Sequence, residues 1–292
     1  MPNIVRFQDR SYLKKLINRM TVDRLHYNQN DLLIFMDETG NPKLNQQHSV
    51  FGVGGCAVIA SDYTRFLKPE WYVAKSEIFN LSFRQPFHAH HHLKYASDVQ
   101  IKDLAMFIRN SPLKMFIQLI NRRTMIEPLA SGLDAVLEGI CSSVQGLIFE
   151  PYQIDRWIFE HSDDLSRQAI VSMMEHGKNY FHMQRSEKNS AGLSFLRKQM
   201  AEPGLEISDL ISYVSGLYWR NAPNFRPVYN DILVESFGDL SKGSSMTSLA
   251  VMSPIRIQTL SDGSTHVSSP PRIEITYLKQ GPRAERRRGN RG

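Results

Sequence analysis

The stretch Leu32-Leu33-Ile34-Phe35-Met36-Asp37-Glu38-Thr39-Gly40-Asn41-Pro42 decides how the rest of the chain is read. Five apolar residues run from Leu32 to Met36 without a polar break. That length and hydrophobicity suit a central strand buried on both faces. The run stops at Asp37, and the residues from Asp37 to Pro42 are rich in turn formers. A carboxylate at the end of a buried strand is costly unless a metal, a cation or backbone N–H groups compensate it. Either Asp37 or Glu38 starts a turn and caps Gly40 or Asn41, or Asp37 belongs to a cation site. Spacing alone leaves the two open.

Working outward, Val50 to Ala60 contains Gly52, Gly54 and Gly55 and suits a strand returning beside the first, its glycines marking a bulge or close packing. Helical spacing is expected over residues 7–25, 61–82, 98–110, 125–149 and 164–178, and most clearly over 206–220. Strands are expected at Lys114–Ile120 and Gln153–Phe159. The region 180–205 is hard to read, with short strands placed near Tyr180–Gln184 or Ser194–Arg197. Pro254–Ser269, with Asp262-Gly263 inside it, resembles a hairpin. Interleaved strands and helices, with two early strands adjacent, argue for an α/β domain with a mixed sheet flanked by helices. The expected organisation is an N-terminal helical extension (1–30), the α/β domain (31–235), a C-terminal extension with a β-hairpin (236–279) and a disordered basic tail (280–292).

Composition excludes several classes. At 41% hydrophobic and 22% charged, the chain of 292 residues is ordinary globular protein. No apolar run reaches the roughly 18 residues of a membrane helix, and no secretory signal is visible, so no membrane partner and a cytoplasmic location are expected. Cys56 and Cys141 form no CxxC pair, which argues against a disulfide framework or a cysteine zinc site. The net charge of +6 is uneven: six basic residues and one acid between Lys279 and Gly292 give +5, leaving +1 for the rest. A solvated tail accounts for that, though it can add salt-sensitive affinity for phosphates.

Two further places offer candidate acids, and the first repeats the pattern of Asp37. Glu160 follows the apolar Trp157-Ile158-Phe159, where it is either a surface residue beside His161 or a second strand-end acid. Glu206 and Asp209 open the late helix. Asp209 lies away from the large apolar stripe of Ile207, Leu210, Ile211, Val214, Leu217 and Tyr218. It shares a side with Ser212 and Gly216, close to Ser208 and Ser215. Such a small-residue face suits a close helix–sheet approach. Either acid can equally serve the helix dipole alone. Acids at two strand ends and on one helix are what a site for hard, oxygen-seeking Mg²⁺ or Mn²⁺ needs. Two such ions can clamp both oxygens of a phosphodiester under displacement.

These residues resemble a known family. FMDETGN at 35–41 resembles the FIDESGN-type opening of the family called domain of unknown function 3800. LEISDLISYVSG at 205–216 resembles its late LQLADLIAY-type signature, and FHAHH at 87–91 its middle segment. The resemblance spans roughly residues 31–220. It implies a ribonuclease H-like fold and a nuclease activity. By position it marks Asp37 and Asp209 as core acids, Glu160 as the mid-chain strand-end acid and His88 as the histidine of the middle segment. Thr39 and Ser208 depart from the family's Ser and Ala, and Pro86 stands where a Glu is common, so one ligand of the family pattern is missing.

The resulting expectation is a metal-dependent nuclease or phosphodiesterase acting on RNA or DNA. Asp37, Glu160 and Asp209 would hold Mg²⁺ or Mn²⁺, with Glu206 or Glu38 as auxiliary ligand or proton acceptor and His88 as a further site residue. One alternative is a catalytically reduced module of the same fold that binds nucleic acid or a protein. Another is a transition-metal hydrolase built on His88, His90, His91 and His92, although no matching Cys or His cluster appears elsewhere. Oligomeric state is not legible.

Overall fold

In the computed structural model the described residues are 21–40, 50–121, 155–161, 193–220, 222–237, 251–252, 256–259 and 265–268. The apolar run at 32–36 becomes the centre of strand β2 (Leu32–Gly40), following the two-residue β1 (Thr21–Val22). Then come β3 (Val50–Ile59), β4 (Lys114–Asn121), β5 (Asp155–Glu160), β6 (Leu193–Leu196) and β7 (Val251–Met252). The sheet order is β1-β6-β5-β2-β3-β4-β7. β2, β3 and β4 form an antiparallel meander, while β5 lies parallel to β2, β6 to β5 and β1 to β6. β7 runs parallel to β4 at the opposite edge. The protein is therefore an α/β fold with a mixed sheet flanked by helices.

The continuous hydrophobicity of β2 has the cause expected of a central strand. Leu32 to Met36 are all buried, so both faces are covered. Because alternate residues share a face, Leu33, Phe35, Asp37 and Thr39 point one way, and Leu33 and Phe35 belong to the main core there. Over that core lie helices α1 (Lys68–Phe79), α2 (Ala89–Tyr95), α3 (Asp98–Asn110), α4 (Pro203–Trp219) and α5 (Tyr229–Phe237). Ala60–Asp62 and a π-helical turn at Tyr63–Leu67 run directly into α1. Helix α3 starts at a capping box, in which the Ser97 hydroxyl accepts from the Gln100 N–H and the Gln100 side chain accepts from the Ser97 N–H.

Helix α4 docks on β2 through a stripe of small residues at four-residue intervals. A Cβ on Gly204 would lie 2.3 Å from the Phe35 ring, and one on Gly216 2.2 Å from the Thr39 hydroxyl. Between them, Ser208 Oγ donates to the Phe35 carbonyl and Ser212 Oγ to the Asp37 carbonyl, both at 3.0 Å. Four helical residues rise about 6 Å and two strand residues about 6.6 Å, so the stripe keeps step with the strand.

Several expectations need correction. Asp37, Glu38 and Thr39 do not open a turn: they remain in β2, paired with Gly54, Val53 and Gly52. β3 carries no bulge in this pairing; Gly54 serves close packing, a Cβ there lying 2.9 Å from Ser212 Oγ. Of the helix expected over 7–25, residues 7–20 lie outside the described residues, and its end is not helical: Thr21–Val22 pairs in the sheet with Phe195–Leu196. The sheet thus takes a strand from either side of the expected 31–235 unit. In the ambiguous region the strand is Leu193–Leu196. The hairpin's arms are β8 (Arg256–Thr259) and β9 (Thr265–Ser268), paired antiparallel. Its turn, the helices expected at 125–149 and 164–178, the strand considered at 180–184 and the basic tail at 280–292 lie outside the described residues.

Candidate functional site

Strand register brings the first two acids together. Met36 of β2 pairs in parallel with Phe159 of β5, so Asp37 and Glu160 stand one step further on, on neighbouring strands roughly 4.8 Å apart. Glu160 shares its face with Ile158, the partner of Phe35. Both acids therefore point toward α4. The stripe that seats Ser208 and Ser212 on β2 sets Asp209 above them. Its carboxylate accepts the Ala89 N–H at 3.0 Å, which ties α4 to the start of α2.

The electrostatics of this group are unbalanced. Asp37 is buried, and one of its oxygens accepts the N–H of Glu38 at 2.8 Å. Burial, then the charges of Asp209 and Glu160, lift its pKa well above the ordinary carboxylate value, against the opposing pull of Lys198 and the Glu38 N–H. Lys198 is the shared counter-charge: its ammonium lies 3.2 Å from Glu160 and 3.9 Å from Asp209. Burial works against that ammonium, yet Asp209, Glu160 and Asp37 together hold its pKa above the usual lysine value. Glu160 still ends above the ordinary carboxylate range, because burial outweighs its contact with Lys198.

The remaining expected residues divide. His88 caps α2 beside the cluster. Burial and Lys198 push its pKa down while Asp209 pulls it up. His90 and His91 are exposed, and the ring of His92 stacks on Phe87. Glu206, one turn before Asp209, is engaged elsewhere. It pairs with the fully buried Lys75 at 3.0 Å and accepts the Trp71 indole N–H at 2.5 Å and the Phe87 N–H at 2.6 Å. That set fits an anchor for α4 better than a free ligand or base. Glu38 follows Asp37 in the strand and, by alternation, points to the other face.

Two residues that sequence reasoning passed over belong to the same neighbourhood. Lys198 follows β6, and the register places Glu160 opposite Leu196, two residues before it. Glu202 precedes α4, bonded to the Tyr63 hydroxyl and 3.5 Å from Lys68. Burial and the charge of Glu206 lift its pKa to about 7. A shallow cleft is lined by Glu160, Arg197, Lys198, Glu202, Glu206 and Asp209, with Phe87 and Leu205 as its apolar wall. A lysine after a strand is a weak signal until that strand is known to adjoin the one carrying Glu160.

A divalent ion can be tested against these residues. Among the described residues, three carboxylates facing one ammonium leave a deficit of positive charge, and oxygen donors suit Mg²⁺ or Mn²⁺. In donor type and charge the set fits. In placement it surrounds an ammonium: among the described residues no group of three His, Cys, Asp or Glu side chains stands ready to hold a metal. The same holds for the described histidines at 88–92. Among the described residues no helix is long and apolar enough to cross a membrane. Compared with protein-family models, the chain matches none, and no curated protein matches it either.

Proposed function

We propose that the protein is a metal-dependent nuclease or phosphodiesterase acting on RNA or DNA, with Asp37, Glu160 and Asp209 as the residues that take up Mg²⁺ or Mn²⁺. The observation that carries this reading is the acid cluster with too little positive charge. Among the described residues, three carboxylates from two adjacent strands and one docked helix share a single lysine. Burying acids together is expensive unless they serve a cation. The sheet supports a ribonuclease H-like reading: an antiparallel meander is followed by two strands laid parallel to its first, on that strand's other side. The motif resemblance to the family called domain of unknown function 3800 points the same way.

A bound divalent ion would supply Lewis acidity and activate water. The chain's own contribution is positional. β2 and β5 hold Asp37 and Glu160 side by side, and the small-residue stripe sets Asp209 against them. The Ala89 N–H fixes the Asp209 carboxylate, and His88 stands at the edge to bind or orient a phosphate ester. A second reading, a catalytically reduced module that binds nucleic acid or a protein, is favoured by Lys198 within the cluster and by Pro86 in place of an acid. The separating experiment incubates the protein with single- and double-stranded RNA and DNA in Mn²⁺, Mg²⁺ or excess chelator. Cleavage in metal that chelator stops is the expected result. Binding without cleavage under every condition would establish the second reading instead.

A further inference from the structure

Two acids within α4, Glu206 and Asp209, lie beside lysines, and the two lysines are held differently. Lys75 is wholly buried in α1, bonded to both oxygens of Glu206 and to the Gln85 carbonyl. It has no route out. The side chain of Lys198 is 35% exposed and lies at the wall of the cleft. Its backbone is fixed by a short 3₁₀ turn, Lys198–Met200, closed by the Ala201 N–H on the Lys198 carbonyl. Buried Ala201 takes a left-handed conformation there, φ 48°, which a non-glycine residue adopts only when its surroundings hold it. A firm backbone with a long, partly exposed stem lets the ammonium swing outward without disturbing the fold.

The same oxygens are at stake for a metal. Lys198 Nζ sits 3.2 Å from Glu160 Oε2 and 3.9 Å from Asp209 Oδ2. Mg²⁺ would need such oxygens at about 2.0–2.1 Å. An ion bridging these two carboxylates would lie against the ammonium, and two unscreened cations at that range repel strongly. Two such occupants would exclude each other.

We propose that Lys198 is the resident cation of the acid cluster and that a divalent ion enters by displacing its ammonium, so that Lys198 sets the protein's affinity for metal. This rests on the nuclease reading and deepens it: the lysine holds the carboxylates together without metal and releases them to it.

The test is calorimetric titration of Mn²⁺ into the wild-type protein, Lys198→Gln and Lys198→Arg, with the thermal midpoint of each recorded to show that it folds. Removing the competing charge in Lys198→Gln should tighten Mn²⁺ binding by about tenfold, which corresponds to about 1.4 kcal/mol. Lys198→Arg keeps a cation in place and should stay within about twofold of wild type. A lysine acting only as a structural tie would leave affinity unchanged or weaken it when removed. Equal or weaker binding by Lys198→Gln overturns this proposal and leaves the metal site standing. Absence of Mn²⁺ binding in all three proteins overturns it together with the nuclease reading.

Discussion

Glu206 and Asp209 lie on the same helix, one turn apart, and their surroundings are opposites. Glu206 faces a buried lysine, an indole N–H and a backbone N–H, all aimed at its two oxygens. Among the described residues Asp209 accepts one backbone N–H, lies beside two other acids and shares one partly exposed lysine with them. The first carboxylate has its charge met within the fold. The second belongs to a group left short of positive charge among the described residues. Sequence treats them as two acids at a helix start; the charge around each separates an anchor from a candidate site.

The sharpest way to break that comparison is to make the same isosteric change in both clusters. Glu206→Gln leaves the Lys75 ammonium buried without its counter-charge, and removing one partner of a buried pair costs roughly 3–5 kcal/mol. Urea denaturation should show that loss. A change below 1 kcal/mol would mean that the Glu206 group is not an anchor.

Glu202 gives a pH test between the two clusters. Its pKa in the folded protein is about 7 against 4.5 for an ordinary glutamate, lifted by burial and then by Glu206. A carboxyl with a raised folded-state pKa contributes stability in full below its unfolded value and loses it as pH rises through the folded value. Stability should therefore fall between about pH 4.5 and 7 by roughly 3 kcal/mol from this group. Glu202→Gln should remove that part of the slope and be more stable than wild type at pH 8. An unchanged slope would show that Glu202 ionises freely.

A smaller effect tests the docking of α4. Gly216→Ala puts a methyl group against the Thr39 hydroxyl. Such overpacking costs roughly 1–3 kcal/mol and should weaken Mn²⁺ binding by moving Asp209 relative to Asp37. A neutral result in both measurements would show that the small-residue stripe does not set the site.

Much of this was legible in the residues. The unbroken run at 32–36 announced a central strand, and the small face of the late helix announced its close approach to the sheet. Helices at 61–82 and 98–110 and strands at 114–120 and 153–159 lie close to their expected limits. What misled was local chemistry overruled by pairing. Asp37 to Gly40 looks like a turn, but β3 supplies a continuous partner strand. Thr21–Val22 fits a helical pattern until Leu193–Leu196 offers an edge. Lys198 and Glu202 were missed because their meaning depends on which strands are neighbours, and no local pattern in the sequence encodes that.

The proposed nuclease depends on a divalent cation taken up by the Asp37 cluster. The most direct measurement is the thermal midpoint of wild type and Asp37→Asn at pH 8, each with and without Mn²⁺. Asp37 carries a raised pKa in the folded state, so its ionised form opposes folding above that value. Without metal, Asp37→Asn should match or exceed the wild-type midpoint. With Mn²⁺, wild type should rise by several degrees, as binding to the folded state alone requires, and Asp37→Asn should not move. A mutant that keeps the full wild-type shift on adding Mn²⁺ would contradict the account.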